Sequence, residues 1–214
     1  MKTKYLFYII LFSFHCLFLS GQETRLVKRY NGQFLEEYLV LKSDTSIKNG
    51  RYIRKYKNDV IERGAYKLGK KTGRWVYFSF EGVFEFEYDY HTNKIVKISG
   101  KHKPEDYFET PIFFHGSPLI PYLYMARNIQ YPIEAKKHDI NGKVTLALKI
   151  DSNGQIHSLY LKKKLHPLLD KEVIKVAKTF PNNWKWVPAT YNGKKINSEY
   201  QIDIEFELVA DSTN

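Results

Sequence analysis

Asn141-Gly142-Lys143-Val144-Thr145-Leu146-Ala147-Leu148-Lys149-Ile150-Asp151-Ser152-Asn153-Gly154 is the stretch that decides the fold of the C-terminal part of the chain. In an extended chain Val144, Leu146, Leu148 and Ile150 fall on one side, and Lys143, Thr145, Ala147 and Lys149 on the other. That alternation is the mark of a strand with one packed face. Asn141-Gly142 is a turn signal before it, and Asp151 to Gly154 is a tight turn rich in residues that tolerate positive φ. Ile156 to Leu161 then supplies a partner strand, so the stretch predicts an antiparallel hairpin.

Working outward, Leu169, Val173, Val176, Ala177 and Phe180 recur at helical spacing and predict a helix from about Leu168 to Thr179. Asp170 and Glu172 near its start and Lys175 and Lys178 near its end suit the helix dipole, and Pro181 stops it. Trp184 and Trp186 follow in a Trp-rich bend, and at most one of them is expected in the core. After the Asn192-Gly193 turn, Ile202-Asp203-Ile204-Glu205-Phe206-Glu207-Leu208 alternates apolar and acidic residues. It predicts a final strand with one packed and one wet face. Upstream, Tyr131-Pro132 predicts a short helical turn, with proline at a first position where its missing N–H costs little. The expected class is α+β: a three-stranded antiparallel sheet with a helix packed on one face.

Residues 22–99 have a different texture, dense in Tyr, Phe, Gly and Lys. Asn49-Gly50-Arg51-Tyr52 recurs loosely as Thr72-Gly73-Arg74-Trp75, and Asp59-Val60 aligns with Gly82-Val83, both at an offset of about 23 residues. Phe84, Phe86 and Tyr88 alternate with Glu85, Glu87 and Asp89. A β-hairpin repeat domain is expected, its aromatics serving mainly as the sheet's own packing. Gly64-Ala65-Tyr66, Gly69 to Trp75 and Phe80-Glu81-Gly82 resemble MORN-type repeats. Residues 100–125 carry Pro104, Pro111, Pro118 and Pro121 and read as a Pro-rich connector in which prolines break regular elements. Its apolar residues, Phe108, Phe113, Phe114, Leu119 and Leu123 among them, are expected to pack against a neighbouring domain.

Residues 1–21 run from Lys2 and Lys4 through an apolar segment to Ser20 and Gly21. That order reads as a secretory signal, with an uncleaved anchor and a lipoprotein signal at Cys16 as the other readings. Cys16 is the chain's one cysteine, so cleavage after Gly21 leaves none. Disulfides, thiolate catalysis and cysteine metal sites are then excluded. Cleavage also lowers the net charge from +11 to +9. In an exported protein that charge points to anionic lipid, acidic glycan or acidic protein rather than to nucleic acid.

Six words occur in order in residues 126–210. They are Gln130-Tyr131-Pro132-Ile133-Glu134-Ala135, Asn141-Gly142-Lys143-Val144, Ile150 to Gly154, Leu169-Asp170, Trp184 to Ala189, and Asn192-Gly193-Lys194. Together they resemble the TonB C-terminal family, in the variants carried by Bacteroidetes envelope proteins. The resemblance implies a periplasmic domain that grips an extended segment of an outer-membrane receptor, or of another envelope protein, by adding it to a sheet edge. An unpaired edge offers backbone donors and acceptors to any extended peptide. By that carry-over the binding residues are Glu199, Gln201, Ile202, Asp203, Ile204, Glu205 and Phe206 on the last strand, with Gln130, Tyr131 and Pro132 before the helical turn. The long spacer of energy transducers is replaced here by a compact Tyr- and Gly-rich domain, so recognition of a strand is expected rather than force transmission. The other reading is a structural envelope protein whose basic repeat domain binds peptidoglycan or a membrane surface.

No catalytic constellation is present, and no cofactor or metal is expected. His91, His102, His115, His138, His157 and His166 include no pair spaced four apart on a helix. Asp203, Glu205 and Glu207 form the wet side of one strand rather than an acid–base pair. There is no Gly-x-Ser-x-Gly elbow and no phosphate loop.

Overall fold

The computed structural model describes residues 22–101 and 109–208. Residues 1–21, read above as a secretory signal, the connector residues 102–108 with His102, Pro104 and Phe108, and the residues from 209 lie outside the described residues.

The first half is one antiparallel sheet whose seven strands follow one another in chain order. They are β1 (Thr24–Asn31), β2 (Phe34–Leu41), β3 (Lys48–Tyr56), β4 (Asp59–Lys67), β5 (Lys70–Phe78), β6 (Phe84–Asp89) and β7 (Lys94–Ile98). Three of the six connections in this meander, those after β1, β3 and β4, are only two residues long. Leu68 and Gly69, between β4 and β5, both have positive φ, +49° and +79°. That combination matches the right-handed twist of the strands it joins.

One face of this sheet is an aromatic layer. Tyr52, Trp75, Tyr77 and Phe86 are almost completely buried there, with Tyr38 and Tyr88 beside them. Tyr52 and Trp75, related by the 23-residue offset, lie 5.3 Å apart between ring centroids. They meet across β4 because Gly64, opposite Tyr52 in the register, has no side chain. A Cβ at Gly64 would stand 2.3 Å from the Trp75 ring. The next row on the same face is charged. The Arg54 guanidinium lies 2.8 Å from the Glu36 carboxylate and 3.1 Å from that of Glu62. Burial opposes ionisation of Glu36, but the Arg54 hydrogen bond and charge, with Asn31 and Lys48, hold its carboxyl below the usual glutamate value.

The second half begins with β8 (Phe113–Phe114), α1 (Leu119–Asn128), α2 (Ile133–Lys137) and β9 (Gly142–Ile150). It continues through β10 (Ile156–Lys163), α3 (Pro167–Ala177), β11 (Trp186–Val187), β12 (Thr190–Tyr191), β13 (Lys194–Lys195) and β14 (Ser198–Phe206). β9 is the centre of a three-stranded antiparallel sheet, with β10 on one side and β14 on the other. Val144, Leu146, Leu148 and Ile150 of β9 and Ile202, Ile204 and Phe206 of β14 share a core with Leu169, Val173 and Val176 of α3. Pro167 opens α3, and His166 caps it by accepting the Leu168 N–H at 3.3 Å. The helix thus starts one residue before the expected Leu168 and ends two before Thr179. Trp186 is buried, and Trp184 is half-buried against the same core.

The connector departs from its reading. Its prolines do not exclude regular structure: Pro118 precedes α1 and Pro121 lies in its first turn, where backbone N–H groups have no intrahelical partner to lose. α1 also runs through the boundary expected at residue 126. Its Leu119 and Leu123 pack on Ile61 of the seven-stranded sheet, while Met125 enters the C-terminal core.

Candidate strand-binding edge

The three-stranded sheet has two outer strands, and they differ. β10 breaks register with β9 twice, between Ile156 and Ser158 and between Leu161 and Lys163. Lys162, Lys163 and Lys164 follow one another at its end. Bulges and lysines are the usual means of blunting an edge. β14 keeps register with β9 without a break from Ser198, opposite Ile150, to Phe206, opposite Gly142. Among the described residues no strand pairs with its other side.

Two hydrogen bonds fix which backbone groups face that free side. Asp151 donates its N–H to the Gln155 carbonyl across the β9–β10 turn at 3.0 Å, and Leu208 donates its N–H to the Asn141 side chain at 3.0 Å. Backbone direction alternates along an antiparallel strand. The even-numbered residues of β14 therefore hold the ladder to β9. Glu199, Gln201, Asp203 and Glu205 turn their N–H and C=O groups outward.

The side chains alternate too. Ile202, Ile204 and Phe206 are buried inward, whereas Gln201, Asp203 and Glu205 are exposed. Asp203 accepts from Thr145 Oγ1 at 2.7 Å and from Lys143 Nζ at 3.3 Å. The Thr145 hydrogen bond, then Lys143, hold its carboxyl below the ordinary range. Glu199 accepts from the Tyr160 hydroxyl and from Lys162 Nζ, and the same two groups lower its pKa. These contacts tie β14 to β9 and β10 across the wet face. Glu205 has no such contact among the described residues.

Tyr131 reaches the end of β14, with its ring edge-on to Phe206 at 5.5 Å between centroids and its hydroxyl donating to the Ile140 carbonyl. Gln130 is exposed, and its N–H donates to Glu172 on α3 at 3.1 Å. Pro132 stands just before α2 rather than inside it. Tyr131 therefore borders the edge directly, and its two neighbours set how the chain approaches it.

Sequence reasoning missed the walls beside β14. A cleft of about 200 Å³ is bounded by Tyr122 and Met125 of α1, by Ile129 just after it, and by Ile204 and Phe206. A second, of about 310 Å³, is bounded by Tyr122 again, by Phe80 and Glu85, and by Tyr200 to Asp203. Phe80-Glu81-Gly82 is visible as a repeat word, but nothing local ties it to β14. The prolines conceal α1.

Residues 127–208 match the family described as Gram-negative bacterial TonB protein C-terminal. The TonB C-terminal match takes in α2, α3, β9 to β14 and Tyr131, and it covers less than half of the chain. The family is one of non-enzymatic protein-interaction domains with a TonB-like role in transport, which implies an envelope or periplasmic location. The seven-stranded sheet lies outside the match. No curated protein matches the chain. Among the described residues no helix is long and apolar enough to cross a membrane.

Proposed function

We propose that the protein is a periplasmic TonB-like interaction module that binds an extended segment of an outer-membrane or other envelope protein as a fourth strand on β14, in the service of TonB-dependent transport. The observation that carries this reading is the contrast between the two edges. β14 is regular over nine residues, with outward N–H and C=O groups at Glu199, Gln201, Asp203 and Glu205, whereas β10 is bulged and lysine-rich. Main-chain hydrogen bonds give such an edge its affinity. Ile202, Ile204 and Phe206 hold the edge from inside, and Gln130, Tyr131 and Pro132 frame its far end. In the same reading residues 22–99 are a MORN-like hairpin domain that carries the module, and residues 1–21 direct its export.

The test is crosslinking capture from Gram-negative envelope extracts, comparing the wild type with Glu205→Pro. Proline removes one outward donor and leaves the ladder to β9 intact. The expected result is a folded variant, by circular dichroism, that loses the outer-membrane proteins captured by the wild type. A folded Glu205→Pro protein that captures the same set sinks the reading.

A second reading has its own observation. Arg25, Lys28 and Arg29 are all exposed on β1, beside Tyr30, which is 73% exposed. A structural role on peptidoglycan or an anionic membrane would use that strand. Sedimentation with purified cell wall, lost on raising salt and on neutralising these three residues, separates it from strand addition.

A further inference from the structure

Strand addition on β14 leaves unused the walls that flank the edge, and any selectivity those walls confer rests on that reading. Phe80 and Tyr122 stand edge to face with centroids 5.4 Å apart, yet remain 46% and 37% exposed. One belongs to the seven-stranded sheet, in the turn after β5, and the other to α1. The turn is held in an unusual shape, with Glu81 at φ +57° and Gly82 at φ +69°. A non-glycine residue seldom takes a left-handed conformation unless its surroundings impose it. Tyr122 lines both clefts beside β14 and Phe80 lines the second, so the clefts meet at Tyr122.

The edge also carries a charge pattern. β14 presents Ile202, Ile204 and Phe206 on its inner side and Asp203 and Glu205 on its outer side. Glu205, and Glu207 just beyond the strand, have no ion-pair partner among the described residues, and Glu85 lines the groove without one. Asp203 is already paired with Lys143, so the unpaired acidic charge beside the edge is that of Glu205, Glu207 and Glu85. An added strand repeats the period of two. Its inner side chains then meet Phe80 and Tyr122, and its outer side chains meet Asp203 and Glu205. Cross-strand neighbours of opposite charge attract and those of like charge repel.

We propose that Phe80 and Tyr122, with the carboxylates of β14, select an extended segment of alternating apolar and basic residues, its apolar side chains seated against the aromatic pair. The seven-stranded domain thereby supplies one wall of the reading site rather than serving only as a spacer.

The test measures binding of labelled octapeptides to the full chain by fluorescence anisotropy, with alternating Val–Lys, Val–Glu and Ser–Lys sequences. Val–Lys is expected to bind about tenfold more tightly than either of the others. Raising salt narrows its lead over Val–Glu. Glu205→Lys combined with Glu207→Lys reverses the charge preference. Phe80→Ala weakens Val–Lys several-fold and leaves Ser–Lys unchanged. Equal affinity for Val–Lys and Val–Glu, or a Phe80→Ala variant that binds Val–Lys as the wild type does, overturns the proposal. Strand addition is read separately by N-methylating alternate backbone amides of Val–Lys. Binding that is lost on methylation but indifferent to charge overturns the selectivity and spares the strand. Selective binding that survives methylation does the reverse, and no binding by any peptide overturns both.

Discussion

Gly64 shows how much a single position can decide, because the Trp75 ring occupies the space a side chain would need. Its backbone is not left-handed, so the requirement is steric alone. Gly64→Ala forces the indole off Tyr52 and out of a fully buried site, and overpacking of this kind costs roughly 2–3 kcal/mol. Urea denaturation should show that loss. Gly73→Ala provides the contrast, since the nearest atom to a Cβ there is 4.0 Å away and only the strain of its φ of +61° is added, about 1 kcal/mol. Lys71 makes a different kind of prediction. Its Nζ lies 4.0 Å from the Trp75 ring centroid and 3.3 Å from the Tyr77 hydroxyl. Burial pushes its pKa down to about 8, with Glu62 pulling it back only in part. Between that value and the ordinary 10.5 the unfolded chain holds a proton that the folded chain does not. Stability must therefore rise with pH across the window. Above pH 10 the buried tyrosines act in the opposite direction, because burial raises Tyr66 to about 12. From pH 8 to 10 the wild type should gain roughly 1–2 kcal/mol relative to Lys71→Met. Paired urea midpoints at the two pH values check it, and equal slopes for the two proteins would remove the buried ammonium from the account.

At the level of elements, the two faces of β14's backbone can be told apart by proline. Ile204 holds the ladder to β9 and its side chain is in the core, so Ile204→Pro loses a hydrogen bond and packing together, about 3 kcal/mol or more. Glu205 points its N–H outward, and Glu205→Pro should cost less than about 1 kcal/mol. Thermal midpoints of the two variants rank them; the reverse order would mean that the outward set is the even-numbered one. Much of this architecture is legible in the sequence for a physical reason. A strand with one buried face must alternate, and Ile202 to Phe206 does so, whereas β9, central in its sheet, also buries Thr145 and Ala147 on the face the alternation left open. The α3 stripe is readable because all of it faces one core. α1 carries no comparable signature, since Leu119 and Leu123 serve one core and Met125 another. Its prolines sit where they do no harm, but they carry the look of breakers. The edge strand itself is equally readable from alternation. Its freedom on one side, and the Phe80–Tyr122 wall, are not, because both depend on contacts between residues far apart in the chain.

Across the whole molecule the two sheets are joined by contacts of the kind found inside domains. Phe114 pairs with Trp186 in the small β8–β11 ladder, which brings Phe113 to 4.4 Å from Phe86 between ring centroids. His115 lies parallel to Tyr90 at 5.3 Å, and burial, then Lys71, push its pKa down to about 4, so the ring there is neutral at ordinary pH. Ser117 donates its N–H to the buried Glu62 carboxylate at 2.9 Å and its hydroxyl to the Phe78 carbonyl at 2.6 Å. A buried carboxyl group in such a place needs its partners, because a polar group left unpaired there is strongly destabilising. Separating the sheets would expose Ile61, Leu119 and Leu123 and leave Glu62 without the Ser117 N–H. The seven-stranded sheet and the C-terminal domain should therefore unfold as one unit. Hydrogen exchange through a urea series reads this directly: amides of β3 to β5 and of β9 are expected to lose protection at the same urea concentration. Leu119→Ala with Leu123→Ala removes the apolar seat on Ile61, at about 2–4 kcal/mol for each residue before any relaxation. In that variant β3 to β5 should open at lower urea than β9, which keeps its own core with α3. If the two groups of amides already part company in the wild type, the junction does not couple the sheets, and the wall beside β14 then lacks the rigidity that reading a side-chain pattern requires.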